Sequence, residues 1–172
     1  LGYSVFQTSR RGEYEGNRVA SRARLEGMIS RYTGMGLLHE IREQLEKVLT
    51  SVFHGKYVGC LGVDMMIYED ESGGFGVQPC VEINLRYNMG IVSIALQRFL
   101  QEEVEGVFTI RFSPKPGEIM QSVEENRDAY PLQVKTGRIT AGYINLTPVS
   151  HESRFVAELY TKRSLEPTNF KF

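Results

Sequence analysis

The chain has 172 residues, of which 41% are hydrophobic and 24% charged, a composition typical of a globular protein and unlike that of a disordered or fibrous one. Lysine plus arginine number 20 and aspartate plus glutamate 21, so no global basic field is present to hold a nucleic-acid backbone. No apolar stretch approaches the roughly 20 residues that a membrane-spanning helix needs. We therefore expect a cytoplasmic protein whose partners are neither nucleic acid nor membrane.

The first third of the chain predicts a hairpin followed by a helix. Residues 2–8 alternate as a strand, and glycine-containing turns separate them from a second short strand at 18–21. Further on, apolar residues recur at spacings of three and four, at Leu38, Ile41, Leu45, Val48, Leu49 and Val52. Because charged residues occupy the intervening positions, this pattern predicts an amphipathic helix near residues 37–54.

The middle of the chain predicts a second hairpin. Residues 57–68 and 77–85 have strand composition, and they flank an acidic, glycine-rich turn at 69–74. An Asn-Met-Gly sequence then introduces a second principal helix near residues 89–101. Two strands joined by so short a turn are expected to pair antiparallel.

The carboxyl-terminal part is expected to be rich in strands. The predicted elements are a strand at residues 104–112, a short helix or turn at 116–126, and a final hairpin formed by 137–146 and 154–161. Together with the earlier elements they predict an α+β fold, in which two principal helices cover a mainly antiparallel sheet.

Polar side chains occupy every second position of the strand that begins at Val77. The period of two places on one face Cys80, Glu82, Asn84 and Arg86, and on the other Val81, Ile83 and Leu85. A carboxylate, a carboxamide and a guanidinium on one dry and unpaired face would be costly, so a polar partner must meet them. A hydrated cation with a phosphate group suits all three.

Antiparallel pairing can also bring Asp64, on the preceding strand, beside Glu82. Two adjacent carboxylates repel each other and raise each other's pKa, whereas a Mg²⁺ ion makes the arrangement favourable. Mg²⁺ prefers one or two carboxylates together with substrate phosphates. The sequence therefore predicts a Mg²⁺ or Mn²⁺ site that also binds a nucleotide.

These strands and the Asn-Met-Gly sequence after them resemble the last metal-binding hairpin of the ATP-grasp superfamily. The resemblance covers about residues 57–91 and implies that the cofactors are Mg²⁺ or Mn²⁺ and ATP. It implies that Asp64, Glu82 and Asn84 are metal ligands, and that Arg86 is a catalytic residue at the acyl-phosphate region. The implied reaction activates a small-molecule carboxylate as an acyl phosphate, which an amine attacks. No general base is identified.

The resemblance covers only part of an ATP-grasp enzyme, because the family's substrate domain and the lobe that covers the nucleotide do not fit into the residues before the hairpin. We expect residues 1–172 to form one domain, a piece of a longer ligase that is inactive alone. Residues 1–112 would be the carboxyl-terminal ATP-grasp lobe and 113–172 a β-rich extension with an added hairpin. The alternative is a non-catalytic binding or assembly module, in which two copies could pair as a homodimer through free strands.

A basic stretch ahead of the first predicted helix offers a candidate nucleotide contact. Its members are Arg10, Arg11, Arg18, Arg22 and Arg24. Asn17 and Arg18 follow Gly16, and a glycine turn can present such a pair to a phosphate. We interpret Asn17 and Arg18 as candidate cofactor-binding residues, with a solvated surface as the alternative.

Overall fold

A computed structural model describes residues 2–163 and confirms the α+β class. Its strands are β1 (Val5–Thr8), β2 (Tyr14–Val19), β3 (Gly62–Glu69), β4 (Phe75–Asn84), β5 (Val104–Phe112), β6 (Gln133–Lys135), β7 (Arg138–Asn145) and β8 (Phe155–Arg163). Its helices are α1 (Arg22–Thr33), α2 (Met35–Phe53), α3 (Met89–Leu96) and α4 (Glu118–Ala129), with a 3₁₀ turn at Gln97–Phe99. No helix within residues 2–163 combines the length and the apolar character needed to cross a membrane.

The described residues form two compact units. The first unit contains residues 2–21 and 92–163, and the second contains residues 22–91. The boundary expected at residue 112 does not coincide with this division, because β5 and β8, on either side of it, pair along their whole lengths. Local composition can predict each strand but not this pairing, because the two strands are about 40 residues apart in sequence.

The first unit is a six-stranded sheet in the order β1-β2-β5-β8-β7-β6, with every neighbouring pair antiparallel. Helix α4 packs against it through Ile119 and Val123, which are fully buried against Tyr143 and Val156. Burying each aliphatic side chain contributes about 1.5–3 kcal/mol. This cluster packs α4 against β7 and β8. The sequence predicted this region only as a helix or turn followed by a hairpin.

Strand β7 depends on a glycine where the chain passes close to it. Gly142 has a φ of +106°, and a Cβ added there would lie 2.4 Å from the carbonyl oxygen of Pro131 and 2.8 Å from the Cα of Leu132. Any other residue would be strained by the positive φ and would also clash with backbone atoms. The glycine thus lets the segment before β6 lie directly against β7.

A charged network connects the central strands of this sheet. Glu158 of β8 is 2% exposed, and its carboxylate accepts hydrogen bonds from Nε and Nη2 of Arg111 at 3.0 and 3.3 Å. The Tyr143 hydroxyl donates to the same carboxylate at 2.8 Å. Because both carboxylate oxygens have donors, the buried charge is compensated where it would otherwise strongly destabilise the fold.

We expect the fold to lose stability at high pH, because three tyrosines of the first unit have raised pKa values. Burial raises the pKa of Tyr14 and of Tyr160 to about 12, with the Glu158 charge adding to the effect at Tyr160. Burial and the hydrogen bond to Glu158 also raise the pKa of Tyr143. The folded state therefore holds these protons more tightly than the unfolded state, whose pKa is 10.0. The stabilisation is complete below pH 10 and is lost as the pH rises towards 12.

Urea unfolding measured across this pH range checks the expectation. The free energy of unfolding should fall above about pH 10, and phenolate absorbance from these side chains should appear together with unfolding. The double variant Tyr14→Phe and Tyr160→Phe should show a shallower fall, because it lacks two of the three groups. A free energy that falls equally in both proteins would contradict the assignment.

The second unit contains α1, α2 and the two-stranded sheet β3-β4. Helix α2 confirms the amphipathic helix predicted at 37–54, with Leu38 as its buried residue. Helix α1 was not predicted; Leu25 is its buried residue. An edge-on contact between the rings of Tyr32 and Phe75, at 5.0 Å, links α1 to β4. This unit carries the hairpin on which the candidate site lies.

Candidate metal site on the β3-β4 hairpin

The hairpin brings the two predicted carboxylates side by side. Asp64 of β3 is the direct antiparallel partner of Glu82 on β4, and Gly62 is the partner of Asn84. Directly opposed residues project to the same face of a sheet. The adjacency of Asp64 and Glu82 predicted from the sequence is therefore confirmed, although their role as metal ligands stays a prediction.

A bulge lies immediately beside this pair. Between the pairs Asp64–Glu82 and Met66–Gln78, β3 advances by two residues while β4 advances by four. Such bulges twist a strand locally and redirect its side chains, and they are common near functional sites. The bulge sets the part of the hairpin that carries Asp64 and Glu82 apart from the regular ladder nearer the turn.

Asn84 fixes the orientation of Asp64. Its side-chain Nδ2 donates a hydrogen bond to Oδ2 of Asp64 at 3.2 Å, and Asn84 is only 7% exposed. Since Nδ2 is the donor, Oδ1 of Asn84 supplies the lone pairs that could bind a cation. The Asn84 amide therefore holds one carboxylate in place and can add a further oxygen ligand.

The electrostatics of the site favour a cation. Burial and the negative charge of Glu82 raise the pKa of Asp64, while the Asn84 hydrogen bond and the positive charge of Arg86 act in the opposite direction. The raised pKa shows that the two favourable contacts do not fully compensate burial and repulsion. A divalent cation between the carboxylates would remove that repulsion.

Arg86 lies two residues beyond the end of β4 and is exposed. Its Nη1 donates to the carbonyl oxygen of Tyr87 at 3.3 Å, and its charge acts on Asp64. Arg86 is thus an exposed guanidinium whose charge reaches Asp64. An exposed guanidinium of this kind can bind a phosphate or carboxylate group of a ligand.

The protein ligands alone do not make a closed metal cage. Within residues 2–163 no group of three or more His, Cys, Asp and Glu side chains could hold a metal ion. A cation here would have the Asp64 and Glu82 carboxylates and the Asn84 amide oxygen, and would complete its coordination with water or phosphate oxygens. Mg²⁺ binds in this way, with few carboxylates and several non-protein ligands, so the donor set fits it.

Asn88 contributes to the hairpin in a way that the sequence analysis did not identify. Its Oδ1 accepts the backbone N–H of Ile91 at 3.0 Å and so caps α3. A Cβ added to Gly62 would lie 2.3 Å from Nδ2 of Asn88, so a side chain at residue 62 would displace the Asn88 amide. The Asn-Met-Gly sequence predicted the start of this helix, whereas the contact of Asn88 with Gly62 was not predicted.

Asn17 and Arg18 belong to the first unit, whereas the four hairpin residues belong to the second. Asn17 is 1% exposed; its Oδ1 accepts from the Tyr14 hydroxyl at 2.6 Å and its Nδ2 donates to the Ser4 hydroxyl at 2.7 Å. The Arg18 guanidinium lies 4.0 Å from the Glu105 carboxylate. The Asn17 amide thus links Tyr14 of β2 to Ser4, on the segment before β1. The hairpin site includes neither Asn17 nor Arg18.

Comparisons with known proteins do not assign the chain to a family. No protein-family model, no curated protein and no solved structure matches it. The interpretation of the hairpin therefore depends on its own residues and on their geometry.

Proposed function

We propose that the chain is the carboxyl-terminal part of an ATP-grasp ligase and that its hairpin binds Mg²⁺, or Mn²⁺, together with ATP. The observation that carries the proposal is the direct pairing of Asp64 with Glu82. The Asn84 hydrogen bond to Asp64 supports it. So does the raised pKa of Asp64, because it marks a site that gains from binding a cation.

In this proposal each hairpin residue has a defined task. Asp64 and Glu82 hold the cation, and Asn84 keeps Asp64 oriented towards it. Arg86 binds phosphoryl oxygens and offsets the negative charge that develops on them. When bound, Mg²⁺ would neutralise the ATP phosphates and help to transfer the γ-phosphoryl group to a small-molecule carboxylate. The amine that then attacks and its general base lie outside this assignment.

A non-catalytic binding or assembly module is the second candidate function. It is favoured by the large apolar side chains that the hairpin exposes, which include Met66, Tyr68, Phe75, Val81 and Tyr87. Large apolar side chains exposed in this number are a feature of interaction surfaces. The two functions are compatible, since a ligase can also assemble through this hairpin.

Calorimetric titration of the 172-residue chain with Mg²⁺ and a non-hydrolysable ATP analogue tests the metal and nucleotide assignment. We expect the analogue to bind in the presence of Mg²⁺ and to bind at least about tenfold more weakly without it, a difference of about 1.4 kcal/mol. Glu82→Gln should lose the Mg²⁺-dependent part, because it replaces a carboxylate ligand by a neutral amide.

Glu69→Gln is the matched control, since it removes one negative charge from the same strand pair at an exposed position away from Asp64. It should bind like the wild-type chain. Equal losses in Glu69→Gln and Glu82→Gln would show only a general charge effect. A folded wild-type chain with no Mg²⁺-dependent binding would contradict the proposed half-site.

A further inference from the structure

Strand β3 has one free edge. Among residues 2–163 it pairs only with β4, in a two-stranded sheet. The backbone N–H of Asp70 donates to Gly74 at 2.8 Å across the hairpin. Since alternate residues of a strand direct their N–H and C=O groups to the same side, those of Met66 and Tyr68 face β4, and those of Met65 and Ile67 face away from it.

Between Asp64 and Glu69 this edge carries neither a charged side chain nor a proline, two of the features that normally protect strand edges. β3 is eight residues long, whereas the edge strands of the six-stranded sheet, β1 and β6, have four and three. β3 contains neither lysine nor proline. Its Met66, Ile67 and Tyr68 are 51%, 37% and 46% exposed. A long, apolar and unpaired edge is a template for another strand.

We propose that β3 pairs with β3 of a second copy of this chain, antiparallel and centred on Met66. Two identical antiparallel edges are self-complementary about a two-fold axis. In this register Met65 and Ile67, whose backbone groups face outward, hydrogen-bond to Ile67 and Met65 of the second copy. The pairing forms a continuous four-stranded sheet, which is more stable than an isolated hairpin.

The charges of β3 allow a second copy as the partner and favour one register. Centred on Met66, each Asp64 lies opposite Tyr68 of the second copy and each Glu69 opposite Val63, so no like charges face each other. The two Asp64 carboxylates are then about 13 Å apart along the strand, beyond the screening length of about 8 Å. Centring the pair on Met65 would bring them to about 7–8 Å on a diagonal.

Sedimentation equilibrium of the 172-residue chain tests the proposal. We expect a concentration-dependent rise from 19.6 kDa towards twice that mass. Ile67→Pro should remain monomeric, because it removes an outward N–H that the β3-β4 ladder does not use. Ile67→Lys, which adds a charge to the same edge, serves as the second variant in case proline disturbs the hairpin.

Val81→Lys is the matched control, because it makes the same kind of change at a 58% exposed apolar residue of β4. It should dimerise like the wild-type chain. A wild-type chain that stays monomeric into the submillimolar range overturns the proposal. Dimerisation retained in both Ile67 variants overturns it as well, as would equal loss in Val81→Lys.

Disulfide trapping tests the register. With Cys60 and Cys80 replaced by serine, Met66→Cys should form a covalent dimer under mild oxidation, because the two-fold axis brings these Cα atoms to about 4.5 Å, within disulfide range. Tyr68→Cys should not, since its counterpart lies four residues away along the strand. Efficient trapping through Tyr68→Cys with none through Met66→Cys would overturn the register.

Discussion

Asp64→Asn is expected to raise the stability of the cation-free chain while it removes Mg²⁺-dependent binding of the ATP analogue. Burial and the charge of Glu82 raise the pKa of Asp64, so the ionised carboxylate is less favourable in the folded chain than in the unfolded one. Asparagine is neutral and can still accept the Asn84 hydrogen bond. It therefore relieves the repulsion but cannot replace the carboxylate as a ligand.

The stability gain should depend on pH. Because the folded pKa of Asp64 lies above its ordinary value of 3.8, wild-type stability from this group is complete below that pH and declines as the carboxylate ionises. Wild-type and Asp64→Asn chains should thus have equal free energies of unfolding at about pH 3 and diverge towards neutral pH. The gain is small, since Asp64 is partly exposed and solvent screens the repulsion.

Asp70→Asn provides a control of opposite sign on the same hairpin. Hydrogen bonds from Ser72 and from the backbone of Gly74 lower the pKa of Asp70, so its ionised form is favoured in the folded chain. Stability from Asp70 is present above pH 3.8 and is lost as the pH falls. Urea unfolding should show Asp70→Asn less stable than the wild-type chain at neutral pH. If Asp64→Asn were equally destabilising, burial and the charge of Glu82 would not make the ionised Asp64 unfavourable in the folded chain.

The sequence predicted those elements whose signal is local. The strand at 104–112 has the same bounds in the structure, because β-branched and aromatic residues recur there between two breaks. Helix α2 and the β3-β4 hairpin also follow from period and turn chemistry. The period of two could place Asp64 and Glu82 on one face, but it could not predict their direct pairing, because the register set by the turn would put Asp64 opposite Cys80 and the bulge shifts it to Glu82.

Features that depend on distant contacts could not be predicted. Helix α1 has Leu25 as its buried residue, so its sequence carries little periodicity. The sequence placed the apolar residues Val81, Ile83 and Leu85 on one face of the strand. In the fold these side chains are 58%, 39% and 41% exposed, so no other element within residues 2–163 covers that face fully. An apolar face becomes buried only where another element covers it, and local pattern does not reveal that element.

The interpretation of Asn17 shows the same limit at a single residue. Asn17 and Arg18 were interpreted as cofactor-binding residues, with a solvated surface as the alternative, and the cofactor-binding role stays a prediction. In the fold Asn17 is buried, and both ends of its amide are hydrogen-bonded, to Tyr14 and Ser4. The Ser4 partner lies 13 residues away, on the segment before β1. Sequence identifies a hydrogen-bonding group, whereas only the fold decides whether protein or ligand satisfies it.

Arg111→Met is expected to cause the largest loss of stability, about 3 kcal/mol. The substitution keeps an apolar stem of similar length but leaves the Glu158 carboxylate, which is 2% exposed, without the guanidinium that donates to both of its oxygens. We place the cost at the lower end for buried pairs, because the Arg111 side chain is 33% exposed and water can partly replace it. Urea unfolding of the folded variant measures the loss.

Removing the whole network should recover most of that loss. The triple variant Arg111→Met, Glu158→Leu and Tyr143→Phe deletes the buried charge together with both of its hydrogen-bonding partners, so no polar group is left unsatisfied. It should unfold within about 1 kcal/mol of the wild-type chain, or above it. If the triple variant were less stable than Arg111→Met alone, the network would be a net stabiliser of this sheet rather than a compensated charge.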